Sequence, residues 1–182
     1  MVRLRAIVFC LSGLALGCSV FSLEGSASTS MYQARVKQAG DVPCFALQKG
    51  PHTARHASRL VRVHVAIPQS AAMARDGSIA WSIGFPQGVD RTLQGEECIK
   101  YGDSPPGTES MVAAEELQLG VGYLVTLNTD LVNTGRLENR RYAGHFCLSS
   151  QTDGSIKVHD LGATPRSDVL ADDACRGLYR VK

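Results

Sequence analysis

The sequence lacks the short patterns that usually announce catalysis. No Gly-x-Ser-x-Gly occurs, so there is no sign of a strand-turn-helix nucleophile elbow. No Cys-x-x-Cys occurs, and the long, irregular cysteine spacings argue against a four-thiolate zinc site. Gly84, Gly88, Gly95, Gly102 and Gly107 sit among turn residues, and none belongs to a phosphate-cradling loop that opens a helix. Charge of one sign is also missing. The chain carries 19 Lys and Arg against 17 Asp and Glu, and two of the basic residues, Arg3 and Arg5, lie at the extreme N-terminus. Without those two the counts are equal, and no clustered basic stretch suggests a nucleic-acid partner. No long helical periodicity follows the first thirty residues, and no internal repeat is visible.

The opening segment does carry a pattern. Arg3 and Arg5 precede an uncharged, mostly apolar run from Ala6 to Phe21. The run is shorter than the roughly twenty residues a membrane span needs, and Ser12, Gly13, Gly17 and Ser19 interrupt it. A basic start and a short apolar run predict a removed export signal rather than a retained anchor. The run ends Leu14-Ala15-Leu16-Gly17-Cys18-Ser19, which resembles the lipobox of bacterial lipoproteins. Leu16 is bulkier than usual there, and Ala15 stands where Leu is usual. That resemblance implies cleavage after residue 17, lipidation of Cys18 and, with Ser19 following instead of Asp, an outer-membrane destination. Cleavage after Gly25-Ser26-Ala27 is the competing site. Residues 18–30 are small and polar and read as a flexible tether. Residues 31–182 are then of single-domain size.

Within that domain, alternation dominates. Arg59 to Ile67 places Val61, Val63, Val65 and Ile67 on one face, with Arg62 and His64 on the other. Ile79 to Phe85 is a second strand and holds the single tryptophan, Trp81, expected in the core. Further strands are read at 123–128, 141–150 and 156–161, the last two joined by an Asp153-Gly154 hairpin turn. Fainter ones lie at 32–38, 42–48, 97–101 and 178–181, while 111–119 is a short helical turn or a loop edge. Short segments divided by Gly, Pro and Asp predict a mainly β domain, a single antiparallel, immunoglobulin-like β-sandwich of about seven to eight strands.

Candidate chemistry is thin. His52 and His56 stand four apart, but in a loop-like stretch without a third ligand. His64 and His159 read as solvent-facing, and His145 as half-buried beside Cys147. Glu96-Glu97 and Asp172-Asp173 are adjacent pairs, and neighbours on a strand face opposite ways. No cofactor or metal is expected. Cys10 leaves with the signal and Cys18 is lipidated or discarded, which leaves Cys44, Cys98, Cys147 and Cys175. An even number in an exported chain reads as two disulfides, and three pairings are open.

Several stretches fall in a recognisable order. They are Pro43-Cys44-Phe45, Trp81-Ser82, Leu93-Gln94-Gly95-Glu96-Glu97-Cys98-Ile99-Lys100-Tyr101-Gly102, Leu117 to Tyr123, and Arg140-Arg141-Tyr142-Ala143-Gly144-His145-Phe146. With the lipobox-like start, the chain resembles the type VI secretion immunity lipoproteins of the Gram-negative periplasm. The likeness spans Tyr32 to Phe146, and the segment around Cys98 is its distinctive part. It implies a β-sandwich that binds and neutralises a toxic effector without catalysis, a protein partner in the periplasm, and membrane attachment through Cys18. Cys44 and Cys98 match the family's two cysteines, which supports sequential pairing, Cys44–Cys98 and Cys147–Cys175. The Cys147/Cys175 pair and the longer tail depart from that pattern.

A binder needs aromatic or Arg anchors within a polar rim, and Arg140, Arg141 and Tyr142 are candidates. The plainer reading of these three is the start of a strand with solvated arginines. The alternative function is an envelope ligand-binding lipoprotein or cell-envelope enzyme, which would place His145 with a carboxylate in a cleft.

Overall fold

A computed structural model describes residues 31–48, 58–67, 78–94, 96–133 and 136–163, without the side chains of 132–138. The signal, the tether, Cys18, His52, His56, Cys175 and the 178–181 strand lie outside the described residues.

Among the described residues every regular element is a strand. They are β1 (Met31–Ala39), β2 (Val42–Leu47), β3 (Ser58–Ile67), β4 (Ser78–Gly84), β5 (Thr92–Leu93), β6 (Ile99–Lys100), β7 (Glu109–Val112), β8 (Gly122–Asn133), β9 (Arg136–Ser150) and β10 (Ile156–Gly162). The expected mainly β character holds, while the expected antiparallel sandwich gives way to a curled, mixed sheet. One sheet runs β6-β2-β1-β9-β8-β3-β4-β7, with β10 beside β9 and β5 beside β3. It is mixed, because β1 runs parallel to β9 over Met31–Gln33. The sheet curls into a half-barrel.

The curl starts at β9. One edge of β9 is filled by β8 from Arg136 to Cys147. The other edge is shared: β1 pairs beside Arg141–Ala143, and β10 takes over from His145 to Ser150. Beyond Gln33, β1 leaves β9 and pairs with β2 instead. Side chains bridge the split. Asp160 accepts a hydrogen bond from Val36 N at 3.1 Å, and Gln38 accepts one from Val158 N at 3.0 Å. The crossing is tight at Gly144, where a Cβ would stand 3.0 Å from the Ala34 carbonyl oxygen.

Alternation then builds the core. Val63, Val65, Trp81, Ile83, Tyr123, Val125, Leu127, Tyr142 and Phe146 are buried on the concave side, with Phe45 and Val36 opposite. Aromatic rings link the two layers, Tyr101 to Trp81 at 5.3 Å and Phe45 to Phe146 at 5.5 Å, and Phe146 stacks on its cross-strand neighbour Tyr123 at 5.3 Å. Tyr101 also fastens the two rims. Its hydroxyl proton is shared between the Ala80 carbonyl at 3.0 Å and the Glu115 carbonyl at 2.7 Å. Burial pushes its pKa up to about 12, so the phenol stays a donor.

Two irregularities revise the strand reading. The β3–β8 register slips between Leu60 and Arg62, so Val61 is the extra residue of a bulge and stands exposed. Leu60 takes the buried place instead. The stretch 111–119 forms no helix: its start belongs to edge strand β7, and the rest is turn and loop. The Cys44–Cys98 bond is formed, with Cα atoms 5.5 Å apart, and ties β2 to the start of β6. Cys147 is buried on β9, and its expected partner Cys175 is outside the described residues.

Candidate binding face

The side chains that alternate with the core point outward from β3, β8 and β9 and stand in register. One row runs Arg62, Asn128, Arg141, and the next runs His64, Thr126, Ala143. Gly84 of β4 extends the first row at one end, and Met31 of β1 at the other. Met111 lies over Gly84, its Sδ 3.5 Å from where a Cβ would be. Met31 and Met111 are 57% and 51% exposed, so two flexible thioethers flank a cationic row.

Arg62 and Arg141 are both exposed, and among the described residues neither forms an ion pair with a carboxylate. The acid nearest on β8, Asp130, is bound to Arg59 at 2.8 Å. Glu109 lies two strands from Arg62 across Gly84. Two guanidiniums spaced across Asn128 repel each other and leave a positive patch that an acidic surface would complement.

That patch acts on its neighbours. His64 is half-buried, and its pKa is lowered by burial first, then by Arg141 and Arg62. Burial alone lowers His145. Its Nδ1 is enclosed without a hydrogen-bond partner among the described residues, as is Thr126 Oγ1. Both imidazoles therefore bind a proton less readily folded than unfolded. Stability should be full above the ordinary histidine value of 6.5 and fall as pH drops from there toward the folded-state values, levelling off below them. Urea midpoints measured at pH 7.5 and 5.5 should show the loss, and His64→Gln with His145→Gln should shrink it.

A second polar pair lies on β9 and β10. Ser149 Oγ stands 2.7 Å from His159 Nε2. Burial, then Lys157, lowers the His159 pKa. A nucleophile–base pair needs a group that orients the base, and among the described residues no carboxylate bonds its other ring nitrogen. His159 is thus partly covered by a partner, where the sequence suggested a free surface side chain. His145 faces outward, and among the described residues it has no carboxylate partner. Among the described residues no three His, Cys, Asp or Glu side chains are grouped to hold a metal ion.

The three candidate anchors do not share a surface. Alternation puts Arg141 outward and exposed, while Tyr142 is 1% and Arg140 9% exposed on the opposite side. Arg140 packs 5.0 Å over the Tyr32 ring. Arg62, Met31 and Met111 were not singled out by sequence. The outward phase of Arg62 was legible, but its place beside Arg141 depends on the order of β3, β8 and β9.

No protein-family model matches this chain, and neither a curated protein nor a solved structure matches it significantly.

Proposed function

We propose that this protein is exported, held at the outer membrane through Cys18, and acts in the periplasm as a non-catalytic binder that neutralises a toxic type VI effector. The observation that carries the binding part is the Arg62–Asn128–Arg141 row: exposed cations without ion-pair partners among the described residues, on a sheet braced by a disulfide. Arginine is enriched at protein interfaces, and methionine adapts to irregular partner surfaces. The disulfide supports the compartment, since such bonds persist where thiols are oxidised. The lipobox-like start and the segment around Cys98 supply the family reading.

The test uses the mature chain with an affinity tag, expressed in the periplasm beside the product of a neighbouring toxin gene. Co-purification and survival of the toxin-producing cells are the expected results. Arg62→Glu with Arg141→Glu should weaken the complex by about a hundredfold or more, since reversed charges oppose an acidic partner. Both side chains are exposed, so the melting temperature should barely move. Unchanged affinity would remove this face from the interface, and failure to protect against every co-encoded periplasmic toxin would remove the immunity role.

A further inference from the structure

The concave face has a polar end that the core does not require. Thr129 of β8 stands opposite Arg140 of β9 and, on its other side, opposite Leu60 of β3. Ser58 precedes Leu60 by two residues on the same face, and Tyr142 follows Arg140 by two. Tyr32 of β1 pairs in register with Tyr142, their rings 5.2 Å apart, and carries the Arg140 guanidinium.

Ser58, Thr129 and Tyr142 are 2%, 1% and 1% exposed, yet among the described residues none of their hydroxyls has a hydrogen-bond partner. Leaving one such group unsatisfied costs about 1–3 kcal/mol, so three together form a demand for a polar occupant. Each hydroxyl can donate. The guanidinium has five N–H donors, enough to keep its existing contacts and still serve another acceptor. A set of donors beside a cation is complementary to an acceptor-rich, negative group. Atoms this enclosed leave no room for a large ligand.

We propose that this end of the concave face binds a small oxyanion, held by the hydroxyls of Ser58, Thr129 and Tyr142 and by the charge of Arg140. This site lies on the opposite side of the sheet from the Arg62–Arg141 row and does not depend on the effector reading. It makes the curled sheet a receptor for a carboxylate or phosphate-type group.

Thermal unfolding of the disulfide-intact protein, titrated with inorganic phosphate or acetate against chloride at matched ionic strength, tests it. Saturable stabilisation by phosphate assigns an inorganic or phosphoryl oxyanion; by acetate, a carboxylate. Thr129→Val and Ser58→Ala, each verified as folded by circular dichroism, should need about tenfold more anion, the loss expected for one charge-assisted hydrogen bond. Arg62→Glu with Arg141→Glu should bind the anion as the parent does. The proposal fails if neither anion exceeds chloride, or if both hydroxyl variants bind as well as the parent. It also fails if the surface double variant is the one that loses binding. Hydroxyl variants more stable than the parent, with no anion effect in either, would assign the hydroxyls to internal water alone.

Discussion

Reducing the Cys44–Cys98 bond should cost the domain about 4 kcal/mol, from the entropy regained by an unfolded chain no longer closed across a sequence separation of 54. The folded state has its own reason to depend on this bond. Strand β6 is two residues long and meets β2 at only two register positions, Cys44–Lys100 and Phe45–Ile99. So short a strand cannot hold itself in place, yet Tyr101 follows it directly and joins the rims through Ala80 and Glu115. Denaturant unfolding followed by Trp81 fluorescence, with and without reductant, should show the lost stability. The Cys44→Ala, Cys98→Ala double variant should match the reduced parent. If the midpoint is the same oxidised and reduced, the bond does not brace the curl.

Trp81→Ala should destabilise by about 3–5 kcal/mol, the range for deleting a large buried aromatic side chain. Trp81 is fully enclosed, with Tyr101 at 5.3 Å and Phe45 at 6.3 Å, so it touches both rims and the second layer. Trp81→Phe should cost less, because the ring still spans most of the gap. A domain this size has about 5–15 kcal/mol in total, so either change removes a large share. The two changes should not add simply, since the bond positions the Tyr101 ring that Trp81 contacts. Urea midpoints of the single and combined variants give the coupling. A loss under about 1 kcal/mol for Trp81→Ala would mean that neighbouring side chains close the gap.

The strands legible in the sequence were those marked by a compact apolar run between turn residues. Trp81 and Ile83 alternate with buried but smaller Ala80 and Ser82, and β4 lies where the pattern put it. The Asp153-Gly154 turn joins β9 and β10 as its residues demanded, with Gly154 at a φ of 84°. β3 was read one step out of phase at its start, because a bulge at Val61 leaves the run of apolar residues unbroken. β8 and β9 extend well past the apolar stretches, since Thr129, Asp130 and Arg140 look like loop residues until paired. The parallel contact of β1 with β9 leaves no local trace, because nothing in either strand marks orientation. The outward arginines were visible singly, and their juxtaposition was not. The enclosed hydroxyls were invisible for the opposite reason: Ser58 and Thr129 have the composition of a solvated strand, and only the curl buries them.

The divided edge of β9 sets an order of assembly. Met31 can take its place only beside Arg141, near the far end of the domain, and Gln38 needs β10 to complete its hydrogen bonds. A ribosome delivers β1 first, and its Ala34–Ala39 part can pair with β2 at once, yet Met31–Gln33 must remain unpaired until β9 has been made. Loop closure over that span is slow, as it is for folds dominated by distant pairings. The β8–β9 hairpin, local and long, is the natural template on which the earlier strand settles. Until then the Met31–Gln33 end of β1 is an open strand edge of the kind that invites self-association.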